Sequence, residues 1–152
     1  MSEFMMHHRT TTLEREFDAP PEAVFAAWAD PAKRAIWNSP SDDMTIRYTE
    51  DDFSVGGKDT ALCLAGDHIL AEVTGVYHDI VADQRIVYTE VIRAEGMRLG
   101  TSLVSVSFEA SGAGTSMVLT LQTCALAGAE VLDEVAAGWT YAMEKMAELI
   151  KR

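Results

Sequence analysis

Two side chains with clear chemical potential, Tyr88 and Glu90, lie in the short apolar run from Arg85 to Ile92. Alternate side chains of an extended strand point to the same face, so the apolar Ile86 predicts that both residues face inward. Desolvation in an apolar cavity would raise the pKa of the Glu90 carboxyl and suit it to act as a general acid or a hydrogen-bond anchor. Alternatively, Glu90 lies solvated at the cavity mouth, because charged residues are rarely buried without a partner.

The histidines and cysteines do not form a recognisable catalytic or metal-binding pattern. They are His7, His8, His68, His78, Cys63 and Cys124. The sequence has no CxxC pair and no zinc-ligand spacing, and both cysteines lie in apolar segments where a free thiol behaves as a small hydrophobe. His68 falls in a turn, and His78 is interpreted as a solvent-facing neighbour of the inward Tyr77 rather than as a base. His7 and His8 are assigned to a mobile terminus. We expect no metal, cofactor or disulfide.

Composition excludes several classes of partner. The 152 residues include 12 Lys and Arg against 24 Asp and Glu, a formal net charge of −12. This charge repels nucleic acid and anionic membranes at long range. The chain lacks an apolar run of the roughly 20 residues that span a bilayer, and its N-terminal ten residues are polar. We expect no nucleic-acid partner, no membrane insertion and a cytoplasmic location.

Enzyme motifs are also absent from the sequence. It contains no nucleophile elbow, phosphate-binding loop, dinucleotide fingerprint or HExxH helix in a suitable context. The acidic clusters Asp42-Asp43 and Glu50-Asp51-Asp52 lack the spacing of a calcium loop. We interpret them as solvated turns.

The order of the secondary-structure elements follows from changes in hydrophobic period. Strand Thr10–Phe17 precedes two short helices that open at Pro21 and at Asp30-Pro31, where Asp30 is the expected N-cap. Short β-rich runs separated by turn residues then predict six antiparallel strands. Their predicted ranges are Met44 to Thr49, Lys58 to Leu64, Ile69 to Ile80, Arg85 to Ile92, Thr101 to Glu109 and Thr115 to Cys124.

The last segment, Glu130 to Lys151, carries apolar residues at three- and four-residue steps and predicts one long amphipathic helix. Gly138 in its middle indicates either a closely packed strand or open space beside Trp139. A bent sheet covered by a single helix leaves unfilled volume between them. The predicted fold is therefore a single α+β domain over residues 1–152, with an internal cavity.

Several segments together carry a resemblance to a known family. They are Phe17–Phe25, Ala27-Trp28, Asp30-Pro31, Trp37, Gly56-Gly57, Gly75–Tyr77, Arg85–Tyr88, Gly114-Thr115 and Gly138-Trp139. In order and spacing they resemble the START-like (Bet v 1-like, SRPBCC) helix-grip superfamily, and within it the branch named for the activator of Hsp90 ATPase. The resemblance implies a curved antiparallel sheet wrapped around a long C-terminal helix, with an apolar cavity between. One departure is Glu90: relatives commonly carry an aromatic residue near the end of the strand that holds Tyr88, where this sequence has glutamate.

The leading functional hypothesis is a noncatalytic or weakly catalytic protein that binds a small hydrophobic molecule. Its predicted lining is Trp37, Tyr77, Tyr88, Glu90, Val106, Met117, Leu119, Trp139 and Met143. Ordinary core packing would also explain the methionines and aromatics, and Trp28 is assigned to the core.

One alternative is a cyclase- or hydrolase-type enzyme that uses Glu90 and Tyr88. The other, implied by the resemblance, is an Hsp90 co-chaperone acting through its outer surface; the N-terminal domain that accompanies the Hsp90 activator is not expected here, which disfavours it. The oligomeric state is left open, and a homodimer is compatible with the sequence.

Overall fold

The computed structural model of the chain describes residues 4–151. Seven strands and three helices occur within these residues. In chain order they are β1 His7–Phe17, α1 Pro21–Ala29, α2 Pro31–Trp37, β2 Thr45–Asp51, β3 Lys58–Ala65, β4 His68–Val81, β5 Arg85–Ala94, β6 Met97–Ser111, β7 Gly114–Ala125 and α3 Glu130–Ile150.

All seven strands form one antiparallel sheet in the order β1-β7-β6-β5-β4-β3-β2. Strands β2 to β7 follow one another as hairpins, and β1 closes the order by pairing with β7. Register shifts interrupt four of the pairings, and such bulges bend and twist the strands that carry them. With the long C-terminal helix on its inner face, this sheet confirms the predicted α+β helix-grip fold.

The two short helices begin where the prolines predict. The Asp30 side chain accepts a hydrogen bond from the Ala32 N–H at 2.9 Å and caps α2, with Pro31 at the first helical position. The indole of Trp37 donates to the carbonyl of Ala27 at 2.7 Å, which ties the end of α2 to α1. Helix α1 contacts β6 and β7, while α2 contacts β2 at the opposite edge of the sheet.

The amphipathic helix α3 buries the face that its sequence period predicts. Its buried residues are Val131, Leu132, Trp139, Ala142, Met143 and Met146. The helix contacts β1 and β7, and Met143 and Met146 pack into the core with residues of β6 and β7. The half of the sheet formed by β2 to β5 therefore faces the first turns of α3 across a space that side chains do not fill.

Two assignments at the ends of elements are wrong. His7 and His8 lie in β1, where they pair with Ala125 and Cys124, instead of belonging to a mobile terminus. Asp51 is the last residue of β2, and its side chain is only 20% exposed because it pairs with a buried arginine. Asp42 and Asp43 do lie in an exposed turn.

Candidate functional site

A cavity of about 200 Å³ lies between the inner face of β2 to β6 and the first half of α3. Its lining consists of Asn38, Pro40, Ile46, Ala61, Cys63, Ala71, Val73, Glu90, Ile92, Leu99, Val131, Glu134, Val135, Gly138 and Trp139. We call this space the main cavity. Most of its wall is aliphatic, and Glu134 is exposed and marks its solvent side. An apolar cavity of roughly 150 Å³ accommodates benzene, so the main cavity has room for one ring with a short substituent.

A second space of about 20 Å³, which we call the inner chamber, adjoins the main cavity. Its wall is largely aromatic and polar: Trp28, Arg34, Trp37, Asn38, Tyr48, Phe53, Asp59, Ala61, Val73, Tyr77, Tyr88 and Glu90. Asn38, Ala61, Val73 and Glu90 line both spaces and form their common boundary. A volume of this size holds one water-sized group.

Strand register brings two carboxyl groups together at this boundary. Gly75 of β4 pairs with Asp59 on β3 and with Glu90 on β5, so the three residues lie in one row across the sheet. A Cβ atom on Gly75 would stand 2.6 Å from Asp59 Oδ1, which is closer than real contacts allow. Glycine therefore makes the room that the Asp59 carboxyl occupies beside Glu90.

Glu90 lies in the interior and not at the solvated mouth. The residue is 9% exposed, and burial raises the pKa of its carboxyl to about 7, with a further contribution from the negative charge of Asp59. A hydrogen bond from the Trp139 side chain opposes this rise without cancelling it. Near neutral pH, Glu90 is therefore divided between its protonated and ionised forms.

Arg34 is the buried cation of the inner chamber. It is 4% exposed, and its Nη1 donates to the Trp28 carbonyl and to the Tyr77 hydroxyl, each at 3.0 Å. Its Nη2 forms an ion pair with Asp51, and its guanidinium lies 4.6 Å from the ring centroid of Tyr48. These contacts hold α2 against the end of β2.

The tyrosines around Arg34 act as neutral hydrogen-bonding groups. Tyr77 donates from its hydroxyl to Asp59 Oδ2 at 2.7 Å, and Asn38 Nδ2 donates to the Tyr48 hydroxyl at 3.1 Å. Burial raises the pKa of Tyr48 to about 12, and it also raises the pKa values of Tyr77 and Tyr88. All three phenols are therefore protonated at neutral pH. Burial also raises the pKa of Asp59.

The predicted lining residues divide into two groups. Trp37, Tyr77, Tyr88 and Glu90 line the inner chamber, and Glu90 and Trp139 line the main cavity. The remaining four, Val106, Met117, Leu119 and Met143, are at most 2% exposed and line neither space. They lie on β6, β7 and the second half of α3, where side chains fill the core completely.

Several residues of the site escaped the sequence interpretation, above all Arg34, Asp59 and Trp28. The sequence does indicate the position of Asp59, because in a strand it shares one face with the apolar Ala61 and Cys63, just as Glu90 shares one face with Tyr88. Arg34 stands on a helix of seven residues with no pattern that distinguishes it from a surface arginine. Trp28 packs on Trp37 and Trp139 with ring centroids 4.7 and 6.1 Å away, as expected of a core residue, and it also lines the inner chamber.

Residues 4–151 contain no cluster of three or more His, Cys, Asp or Glu side chains arranged to hold a metal ion. None of the helices in the same range is both long enough and apolar enough to cross a membrane.

Comparison with known proteins identifies the family. The model of the family described as "Activator of Hsp90 ATPase homolog 1-like protein" matches residues 18–151, so the chain belongs to this family. An uncharacterised protein from Rhizobium leguminosarum has a similar structure, with 28% identity, 97% of each chain covered and a TM-score of 0.86. A protein from Rhizobium loti is also 28% identical, with 95% of this chain and 98% of that chain covered and a TM-score of 0.84.

More distant relatives show the fold alone. An AHSA1-like protein from Aeromonas hydrophila is 24% identical, with 94% of this chain and 92% of that chain covered and a TM-score of 0.70. No curated protein matches the chain.

Proposed function

We propose that this protein binds a small hydrophobic molecule in the main cavity. The observation that carries the proposal is the cavity of about 200 Å³ with an aliphatic wall, set between a closed core on one side and exposed Glu134 on the other. Burying apolar surface of a ligand there yields about 25 cal/mol for each Å² removed from water. Binding sites of this kind combine an apolar wall with a few polar groups, and Asn38 and Glu90 supply such groups here.

Titration with ethylbenzene, followed by calorimetry, tests the proposal. We expect saturable binding with one molecule per chain. The informative variant is Gly138→Leu, because Gly138 lines the main cavity and a Cβ there contacts only Pro40 Cβ, at 3.7 Å. Leucine also favours the helix by nearly 1 kcal/mol over glycine, so a loss of binding would not reflect a loss of folding.

Ala137→Leu is the matched control, since Ala137 precedes Gly138 on the same helix but is exposed. Gly138→Leu should weaken ethylbenzene binding at least tenfold, and Ala137→Leu should leave it unchanged. Binding without saturation, or equal affinity in both variants, would contradict an internal site.

A catalytic role for the same site is a second candidate, supported by the position of Glu90. A general acid works best when its pKa is near the operating pH, and burial brings the pKa of Glu90 to about 7. Tyr88, which shares the inner chamber, would donate a hydrogen bond from its neutral hydroxyl. Any cyclase or hydrolase activity should then fall by at least 100-fold in Glu90→Gln, while ethylbenzene still binds.

The family description supports a third, protein-binding candidate, an Hsp90 co-chaperone. We expect no stimulation of an Hsp90-type ATPase by this chain. Clear stimulation at stoichiometric concentration would place the outer surface, and not the cavity, first among the functional sites.

A further inference from the structure

Two residues that line the inner chamber each carry a buried N–H group without a hydrogen-bond partner. Within residues 4–151, Trp28 Nε1 and Arg34 Nε are the buried side-chain polar atoms left unpartnered. Trp28 is 2% exposed and Arg34 is 4% exposed, and both residues line the chamber. Because buried donors are almost always satisfied in folded proteins, two unsatisfied ones on residues that line one small space point to an acceptor that enters it.

The comparison with Trp37 shows that this is not a general property of the buried indoles. Trp37 lines the same chamber and is 1% exposed, but its Nε1 donates to the Ala27 carbonyl at 2.7 Å. The fold thus satisfies one indole and leaves the other available.

Size and charge define which acceptor fits. The chamber volume of about 20 Å³ holds a single water-sized group, and Asn38, Ala61, Val73 and Glu90 separate it from the main cavity. A carboxylate or phosphate would meet the acidic side chains of Asp59 and Glu90. An ammonium group has no hydrogen-bond acceptor, so it would leave the two free donors without a partner.

We propose that the inner chamber binds one uncharged oxygen atom of the ligand, a carbonyl or hydroxyl oxygen that accepts hydrogen bonds from Trp28 Nε1 and Arg34 Nε. The apolar body of the ligand fills the main cavity. This inference rests on the proposed function and narrows it: the ligand class becomes compact apolar ketones and alcohols of about one ring.

A series of probes with one carbon skeleton tests the assignment by calorimetry. Acetophenone and 1-phenylethanol carry the oxygen, ethylbenzene lacks it, and 1-phenylethylamine replaces it with an ammonium group. We expect the ketone and the alcohol to bind about tenfold more tightly than ethylbenzene, and the amine to bind no better than ethylbenzene.

Trp28→Phe removes the free indole donor and should reduce the preference for acetophenone over ethylbenzene severalfold. The affinity of the same variant for ethylbenzene alone reports the effect of the lost ring volume. Ala137→Leu is the control, because Ala137 is exposed on α3 and lines neither the main cavity nor the inner chamber; it should keep the preference.

Nuclear magnetic resonance of the wild-type protein makes the test independent of whether Trp28→Phe folds. Saturating acetophenone should move the Trp28 indole N–H resonance downfield by more than saturating ethylbenzene does, with no such difference for Trp37. Equal affinities for acetophenone and ethylbenzene would overturn the chamber assignment and would mean that a water molecule, and not the ligand, satisfies the two donors. The main cavity would remain a binding site. Tightest binding of the amine would also overturn it. Failure of all four probes to bind would overturn the proposed function itself.

Discussion

Replacing Glu90 with glutamine should stabilise the protein at neutral and alkaline pH. Glu90 is 9% exposed, lies beside Asp59 in the row through Gly75, and has a pKa of about 7. An exposed glutamate has a pKa of 4.5. Between these two values the folded state holds a proton that the unfolded state has released, so the free energy of unfolding falls as pH rises.

The magnitude follows from the same two values. Each pH unit between them corresponds to about 1.4 kcal/mol, so holding an ionised Glu90 in the folded protein costs about 3 kcal/mol above pH 7. Glutamine has nearly the same shape, can still accept the hydrogen bond from Trp139, and carries no charge to desolvate. It also removes the repulsion of Asp59, which is already included in the rise of the Glu90 pKa to about 7.

Urea unfolding followed by tryptophan fluorescence at several pH values between 4 and 8.5 measures the effect. The stability gain of Glu90→Gln should be smallest at pH 4, grow through the interval from 4.5 to 7, and level off at about 3 kcal/mol. Glu134→Gln is the control, because it removes an exposed carboxylate from the wall of the same cavity. A difference between Glu90→Gln and wild type that stays constant across this range would refute the reasoning, and would remove the basis for Glu90 as a general acid.

Three further changes probe the surroundings of the site. Gly75→Ala should cost about 1–3 kcal/mol in thermal melting, because its Cβ would displace the Asp59 carboxyl; an unchanged melting temperature would contradict the packing. Arg34→Met should lower the free energy of unfolding in urea by about 3 kcal/mol or more, because it leaves the Asp51 carboxylate without its cation. Stability equal to wild type would show that this ion pair does not stabilise the fold. Saturating ethylbenzene should slow the alkylation of Cys63, which lines the main cavity, and leave Cys124 unaffected; equal protection of both thiols would place the probe elsewhere.

The fold was predictable because several independent features of the sequence indicate the same order of elements. Proline positions, an N-cap at Asp30 and a change from strand to helix period gave the order of the elements, and all of them are present. The main error in strand length concerns β6, which starts at Met97 instead of Thr101. Its hairpin turns through Glu95 and Gly96, both with positive φ, and glutamate at the first of these positions is not a recognised signal for such a turn.

The site was less predictable because alternation gives the face of a strand but not what covers it. Val106, Met117 and Leu119 face inward as predicted, yet α1 and the second half of α3 close the sheet above them. The residues of α3 that reach the unfilled part all lie in its first half: Val131, Glu134, Val135, Gly138 and Trp139. The direction of a side chain is a local property, whereas its place in a core or in a cavity depends on where two distant helices cross the sheet.

The inner chamber is the polar end of an otherwise apolar interior. A buried carboxyl such as Glu90 is tolerated because it can keep its proton, and the buried Arg34 is tolerated because Tyr77 and Asp51 accept from its two Nη atoms. Replacement of a whole buried ion pair by apolar residues is often neutral or stabilising, so stability alone does not account for such a pair. Groups that cost stability and face a cavity are the ones expected to interact with a ligand. The sign of the Glu90→Gln effect therefore bears on function: a variant that is more stable but binds acetophenone more weakly than wild type would show that Glu90 serves binding at the expense of the fold.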